Sequence, residues 1–150
     1  MNTCLRRSLA AGLLLALAAP AAALEYRNTA RAAILYDAPS TSAGRVAIAG
    51  AGLPLEVVFD TGAWVRVRDH GGRLAWIEQV ALGGPRGVMI QADTAEVRQA
   101  PRADANLAFR AARGVLLDVR PHEASPPGWL AVRHASGLTG WIAVKEVWGQ

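Results

Sequence analysis

One tryptophan-containing segment occurs twice in this sequence. Residues 64–77 read WVRVRDHGGRLAWI, and residues 129–142 read WLAVRHASGLTGWI. In each copy a Trp opens an alternating strand, a polar turn with Gly follows, and a second Trp-Ile pair opens the returning strand. Alternation of apolar and polar residues on both sides of such a turn predicts a β-hairpin. The chain must therefore adopt a fold that uses the same hairpin twice.

The repetition extends well beyond the hairpin. Residues 33–39 match residues 95–101, and residues 52–57 match residues 114–119, each pair 62 positions apart. The hairpins are 65 positions apart because the loop before the second copy is three residues longer. An insertion confined to a loop is what a structural repeat should show.

Two domains follow from this repeat, residues 24–85 and residues 86–150. The sequence Gly-Gly-Pro-Arg-Gly at residues 83–87 joins them. Its glycines and proline resist regular structure, and it is too short to hold the halves apart. We therefore expect the two domains to touch or nearly touch.

Neither half predicts a substantial helix. Over Ala103–Arg113 the two large apolar residues, Leu107 and Phe109, are two positions apart, which places them on one face of a strand. A short helical turn remains the alternative there, since Ala and Arg favour helix. The remaining short strands, with turn signals about every 8–12 residues, predict an all-β fold of two small barrels.

Residues 1–23 have the three parts of a secretory signal peptide. A basic start at Arg6 and Arg7 is followed by an uncharged Leu/Ala run and by small residues at 21–23. An uncleaved anchor is the alternative, but the uncharged run falls just short of the roughly 18 apolar residues of a spanning helix. The paired arginines also allow twin-arginine export. We predict an exported protein, periplasmic or secreted, with no stable membrane anchor after cleavage.

Removal of the signal changes the charge and the chemistry of the chain. The 150 residues carry 16 basic and 12 acidic side chains, and loss of Arg6 and Arg7 leaves 14 against 12. These charges are interspersed, so the basic stripe that nucleic-acid binding requires is missing and no nucleic-acid partner is expected. The single cysteine, Cys4, leaves with the signal, and with it any expected disulfide or thiol chemistry.

The order of these motifs is similar to that of a known family. A Gly-Leu-Pro-Leu-Glu-Val-Val segment at residues 52–58, a Trp-x-x-Val-Arg strand, Gly-containing turns and a Trp-Ile pair, all repeated, resemble tandem bacterial SH3-like domains of secreted proteins. The resemblance covers nearly the whole chain after the signal. It implies two SH3-like β-barrels and a binding function, often directed at the cell envelope or peptidoglycan.

Tyr36 belongs to a second, narrower resemblance. Residues 34–37, Ile-Leu-Tyr-Asp, resemble the start of eukaryotic SH3 domains, whose aromatic groove binds proline-rich peptides. Glu78 stands where those domains carry a proline, and the second copy replaces Tyr36 by Arg98. Polyproline recognition is therefore the lesser alternative, and Tyr36 is kept as a candidate ligand contact.

The residues do not indicate catalysis. His70, His122 and His134, the only histidines, lie in or beside predicted loops and form no spacing typical of a zinc site. Cysteine chemistry is excluded once the signal is removed. We expect neither an enzyme nor a metal or other cofactor.

Candidate ligand contacts lie on one face of the first hairpin. Alternation places Trp64, Arg66 and Arg68 on one side of their strand and two valines on the other. A Trp beside Arg can stack on sugars or peptides and pair with carboxylates. The alternative is that Trp64 only packs over the barrel.

The second copy preserves part of that face, as Trp129 and Arg133, with Ala131 in place of Arg66. The ligand that the family resemblance implies is peptidoglycan or its peptide stems. The alternative is a protein-interaction subunit, or adaptor, for an envelope protein. Trp148 has no counterpart in the first copy and is expected to close the second barrel or to dock on the first.

Overall fold

The structure, a computed structural model, describes residues 23–121 and 123–150. The predicted signal peptide, apart from its last residue, and His122 lie outside the described residues. Within the described ranges no helix has the length and apolarity needed to cross a membrane.

The all-β prediction is confirmed, with matching strands in the two halves. The first half contains β1 (Tyr26–Asn28), β2 (Ala33–Tyr36), β3 (Arg45–Ala49), β4 (Pro54–Asp60), β5 (Trp64–Arg68) and β6 (Leu74–Glu78). The second contains β7 (Gly87–Ile90), β8 (Thr94–Arg98), β9 (Leu107–Ala112), β10 (Leu116–Val119), β11 (Trp129–Arg133), β12 (Thr139–Ala143) and β13 (Val147–Trp148). The helical elements of the described residues are two 3₁₀ turns, Gln79–Ala81 and Val144–Glu146.

The two sheets have the same strand order. The first runs β1-β4-β5-β6-β2-β3, and the second runs β7-β10-β11-β12-β8-β9 with β13 added beside β7. All pairings are antiparallel. After each 3₁₀ turn the chain pairs back at the start of its sheet: Leu82 with Thr29, which directly follows β1, and Val147 with Ile90 of β7. Each half therefore closes into a small barrel.

Each barrel has its own core of alternating aliphatic side chains. Val65 and Val67 of β5 are fully buried, as is Ile77 of β6. In the second barrel Val132 and Ile142 are buried in the same way. Burial of these chains supplies most of the stability of domains of this size.

The returning strand of each hairpin starts earlier than the sequence suggested. β6 begins at Leu74 and β12 at Thr139, two residues before the Trp that was expected to open the strand. The turn is tight, because Asp69 binds the backbone N–H groups of Gly71 and Arg73 through Oδ1, both at 2.9 Å. Pairing therefore resumes at once.

Strand β9 settles the uncertain segment in the second half. Leu107–Ala112 pairs with β8, and Phe109 packs against the core. The strand prediction is confirmed for Leu107–Ala112, and the residues before it form a single turn in which the N–H of Ala105 donates to the carbonyl of Arg102 at 3.2 Å.

The barrels touch, as expected, and Trp148 docks on the first barrel. Its Nε1 donates to the carbonyl oxygen of Pro54 at 3.3 Å, and its ring meets that of Tyr26 edge-on, with centroids 5.2 Å apart. Asn28 adds a second connection, since its Nδ2 donates to the carbonyl of Gly87 at 3.1 Å. These contacts hold the outer side of β1 and β4 against the second barrel.

We predict that Trp148→Ala uncouples the two barrels. Loss of the partly buried ring should cost about 2 kcal/mol, less than a fully buried aromatic would. Urea unfolding should then show two transitions in place of one, and small-angle scattering should show a larger radius of gyration. Trp148→Phe preserves the ring contact with Tyr26 and loses the hydrogen bond. Its loss of stability should therefore be smaller than that of Trp148→Ala. A single unfolding transition in the Ala variant would contradict the role of Trp148 in coupling the two barrels.

Candidate functional site

The outward face of β5 is arranged as the sequence predicts. Trp64 and Arg68 are half-buried and Arg66 is exposed, while Val65 and Val67 point into the core. The alternation holds because the barrel interior takes every second side chain of the strand. Three candidate residues therefore share one surface of the first barrel.

Tyr36 joins this surface through direct contact with Trp64. Their ring centroids are 5.5 Å apart and their planes are nearly perpendicular, at 85°. Tyr36 is only 6% exposed, so it supports Trp64 and presents little open ring surface. Edge-to-face packing of this kind fixes the orientation of both rings. The structure thus brings together two candidates that are 28 positions apart in the sequence.

A cleft of about 340 Å³ lies next to Tyr36 on the same barrel. Its walls include aliphatic residues, one arginine and one glutamate; the lining comprises Arg31, Ala32, Ala33, Ile34, Tyr36, Ile48, Glu78 and Ala81. Within the described residues neither charged group has an ion-pair partner. The cleft therefore offers an apolar floor with one free charge of each sign.

Arg31, Ile34, Ile48 and Glu78 were not predicted as ligand contacts. A signal for two of them was present in the repeat, since Ile34 and Ile48 align with charged residues in the second copy. An apolar residue on an outward strand position, where its repeat equivalent is charged, indicates a surface with a different role.

Arg68, by contrast, is engaged within the protein. Its Nη1 donates to both carboxylate oxygens of Glu56, at 2.9 and 3.2 Å. Glu56 is 6% exposed and lies beside Tyr26, in register on β1. Burial, and next the carboxylate of Glu56, raise the pKa of Tyr26. Arg68 therefore neutralises a buried carboxylate close to the contact between the barrels.

The same pair exists in the second barrel, in a different setting. Arg133 lies opposite Asp118, with Nη2 3.5 Å from Oδ2, and both side chains are largely exposed. In water such a pair contributes little to stability. One repeated charge pair is therefore structural in the first barrel and a surface feature in the second.

We predict that Arg68→Ala destabilises the protein far more than Arg133→Ala. The first change leaves Glu56 buried without its partner and should cost about 2 kcal/mol, below the range for a fully buried pair because Arg68 is partly exposed. The second should cost less than about 0.5 kcal/mol. Chemical denaturation of both variants, with Arg68→Met to preserve the stem packing, measures the difference. Equal losses of unfolding free energy in the two Ala variants would show that the buried pair stabilises the protein no more than the exposed one.

The second barrel does not reproduce the Arg66 surface. Ala131, its counterpart, is fully buried, and its backbone N–H lies 3.4 Å from Oγ of Ser125. Ser125 belongs to the longer loop, which contacts the backbone of β11 here. The exposed arginine of the first barrel thus has no counterpart in the second, and Trp129 lines a cleft of about 170 Å³.

A larger cleft lies beside that loop. It has a volume of about 530 Å³ and charged walls, formed by Asp118, Val119, Arg120, Pro121, Glu123 and Arg133. Arg120 forms an ion pair with Glu123 at 2.5 Å. The size of this cleft was not predicted, because it depends on the path of the inserted residues.

The described histidines belong to turns. His134 Nδ1 lies 3.2 Å from the N–H of Ser136 and 2.8 Å from its Oγ. Asp69 occupies the equivalent place in the first barrel and binds the N–H two residues on in the same way. The contact of His134 with Ser136 thus has a turn-forming role. Among the described residues no group of three or more His, Cys, Asp or Glu is placed to hold a metal ion.

Comparison with protein families gives two matches along the chain. A family model described as bacterial SH3 domain matches residues 30–84 and residues 91–149. No curated protein matches this chain.

Three solved structures have low similarity to most of the chain. NlpC1 from Trichomonas vaginalis is 11% identical with a TM-score of 0.38, over 94% of this chain and 51% of that one. NlpC2 from the same organism is 10% identical with a TM-score of 0.37, over 85% and 49%. An NLPC/P60 family protein from Bacillus cereus ATCC 10987 is 15% identical with a TM-score of 0.39, over 83% and 56%. The chain spans about half the length of these proteins.

Proposed function

Because the chain belongs to the bacterial SH3 domain family, we propose that it is an exported, non-enzymatic module that binds peptidoglycan. Domains of this family commonly bind components of the cell wall, and residues 1–23 predict export to the compartment where that polymer lies. Peptidoglycan combines sugars with short peptides that carry carboxylates and amino groups. A protein that binds it needs an open surface with apolar and charged contacts.

The observation that supports this proposal is the outer face of the first barrel. Arg66 is exposed there and has no hydrogen-bond or ion-pair partner within the described residues. Trp64 lies on the same face of β5 and is braced by Tyr36, which also lines the open cleft. An unengaged guanidinium can form a forked pair with a carboxylate, and a held Trp adds contact area at little entropic cost.

The absence of catalysis is part of the proposal. The cleft next to Tyr36 and the neighbouring cleft along β3 have no histidine in their linings. His134 lines a cleft of the second barrel, where it is used in a turn. We expect the protein, incubated with purified sacculi, to release no soluble muropeptides detectable by chromatography.

A pull-down of the protein, without residues 1–23, on purified peptidoglycan tests the proposal. We expect retention at low salt and about tenfold weaker binding for Arg66→Ala, because one charge-assisted contact is lost. Arg102→Ala is the matched control, since Arg102 is similarly exposed but lies on the second barrel and pairs only with Asp104. No retention of the unaltered protein at low salt would overturn the function. Equal binding of Arg66→Ala would overturn the role of this face.

The second candidate function, a protein-interaction subunit, is favoured by the 530 Å³ cleft of the second barrel. Its walls carry two arginines and two carboxylates, and charge complementarity of this kind gives specificity to protein contacts. This function predicts a salt-sensitive complex with one envelope protein that is lost in Arg120→Ala and unaffected in Arg113→Ala, an exposed arginine elsewhere on the barrel. Size-exclusion chromatography with the purified partner measures the complex. Persistence of the complex in Arg120→Ala would exclude this cleft as the binding site for the partner protein.

A further inference from the structure

The first hairpins of the two barrels differ at one pair of facing residues. In the first barrel Ile34 of β2 lies opposite Ile48 of β3. In the second barrel the equivalent positions, 62 residues later, hold Glu96 opposite Arg110. Both hairpins have a register shift at the same place, between Leu35 and Tyr36 and between Val97 and Arg98. The backbone is therefore the same, and only the surface chemistry differs.

In the second barrel the charged side chains of this surface pair with one another. Glu96 accepts hydrogen bonds from Arg110, with Nη2 at 3.0 Å, and is also paired with Arg98. Hydrogen bonding from Arg110 is the first cause that holds the pKa of Glu96 below its usual range. The charges of these three side chains are therefore satisfied by one another.

In the first barrel the same surface is apolar and open. Ile48 is 78% exposed, and Val46 on the same strand is 40% exposed. Among the described strands, β3 is also the last of its sheet, so its outer edge pairs with none of them. Exposed aliphatic side chains on an edge strand are a liability that a soluble domain usually avoids with charges. At the position of Ile48, β9 of the second barrel has the charged Arg110.

The charges around the open surface are of opposite sign. Arg31 and Glu78 both line the cleft, together with Ile34 and Ile48. A peptide with an aliphatic side chain, a free carboxylate and a free amino group would find a complementary group for each. A sugar would instead need an open aromatic face, whereas Tyr36 is buried and meets Trp64 edge-on.

We infer that the first barrel alone binds the peptide stem of peptidoglycan, in the cleft of Ile34, Ile48, Arg31 and Glu78. The aliphatic pair receives a side chain of the stem, Arg31 a carboxylate and Glu78 an amino group. The second barrel does not bind at the equivalent place, because Glu96 and its two arginines occupy it. This inference rests on the proposed function and adds the part of the polymer and the barrel that recognises it.

The test transfers the charge pair of the second barrel to the first. The double variant Ile34→Glu/Ile48→Arg should fold, because the same pair faces outward on the same backbone in the second barrel. Binding of purified muropeptides, measured by calorimetry, should weaken at least tenfold. Ile48→Arg alone, at a highly exposed position, should weaken it several-fold and guards against misfolding of the double variant. Glu96→Gln/Arg110→Gln is the matched control and should bind as the unaltered protein does, with one ligand per chain.

A second experiment identifies which part of the polymer the protein binds. Glycan strands stripped of their peptides by an amidase should not be retained, whereas intact sacculi should be. Retention of the stripped glycan, two ligands per chain, or unchanged binding by the double variant would overturn the inference while the proposed function stands. If the unaltered protein retains neither polymer nor muropeptide, the proposed function fails and the inference fails with it.

Discussion

The complete burial of alternate aliphatic residues in the central hairpin determines the rest of the structure. Val65, Val67 and Ile77 have no exposed surface, so the barrel cannot shift its register by one residue without placing valines in water and arginines in the core. That constraint fixes which side chains face outward. The positions of Trp64 and Arg66 follow from the core and need no ligand to explain them.

Local patterns explain why much of the fold was predictable from the sequence. The hairpins, the two-barrel division and the contact between the barrels follow from alternation, turn residues and a short linker. The burial and the partners of individual charged side chains do not follow from local patterns, because they depend on residues far away in the chain. Arg68 looked like a ligand contact on alternation alone, and only the pairing of β4 with β5, next to β1, reveals the buried Glu56. The contact of Ser125 with the backbone of Ala131 could not be predicted from the sequence either.

Duplication of the barrel separates what the fold requires from what it allows. Turn-forming side chains remain in both copies even when their identity changes, as Asp69 and His134 show. Some outward positions are retained, such as Trp64 and Trp129, and others change: Arg66 becomes a buried alanine, and the pair of Ile34 and Ile48 becomes an ion pair. The changed positions are where the two barrels differ in surface chemistry.

The docking of Trp148 also has a consequence for how the protein is made. The chain is synthesised from its first residue, so the first barrel emerges long before residue 148 exists. Until then Tyr26 and the carbonyl of Pro54 lack the indole that packs on them in the finished protein. The early barrel thus has an incomplete surface that Trp148 of the second barrel later covers. The contact that joins the two halves can form only after both barrels have been synthesised.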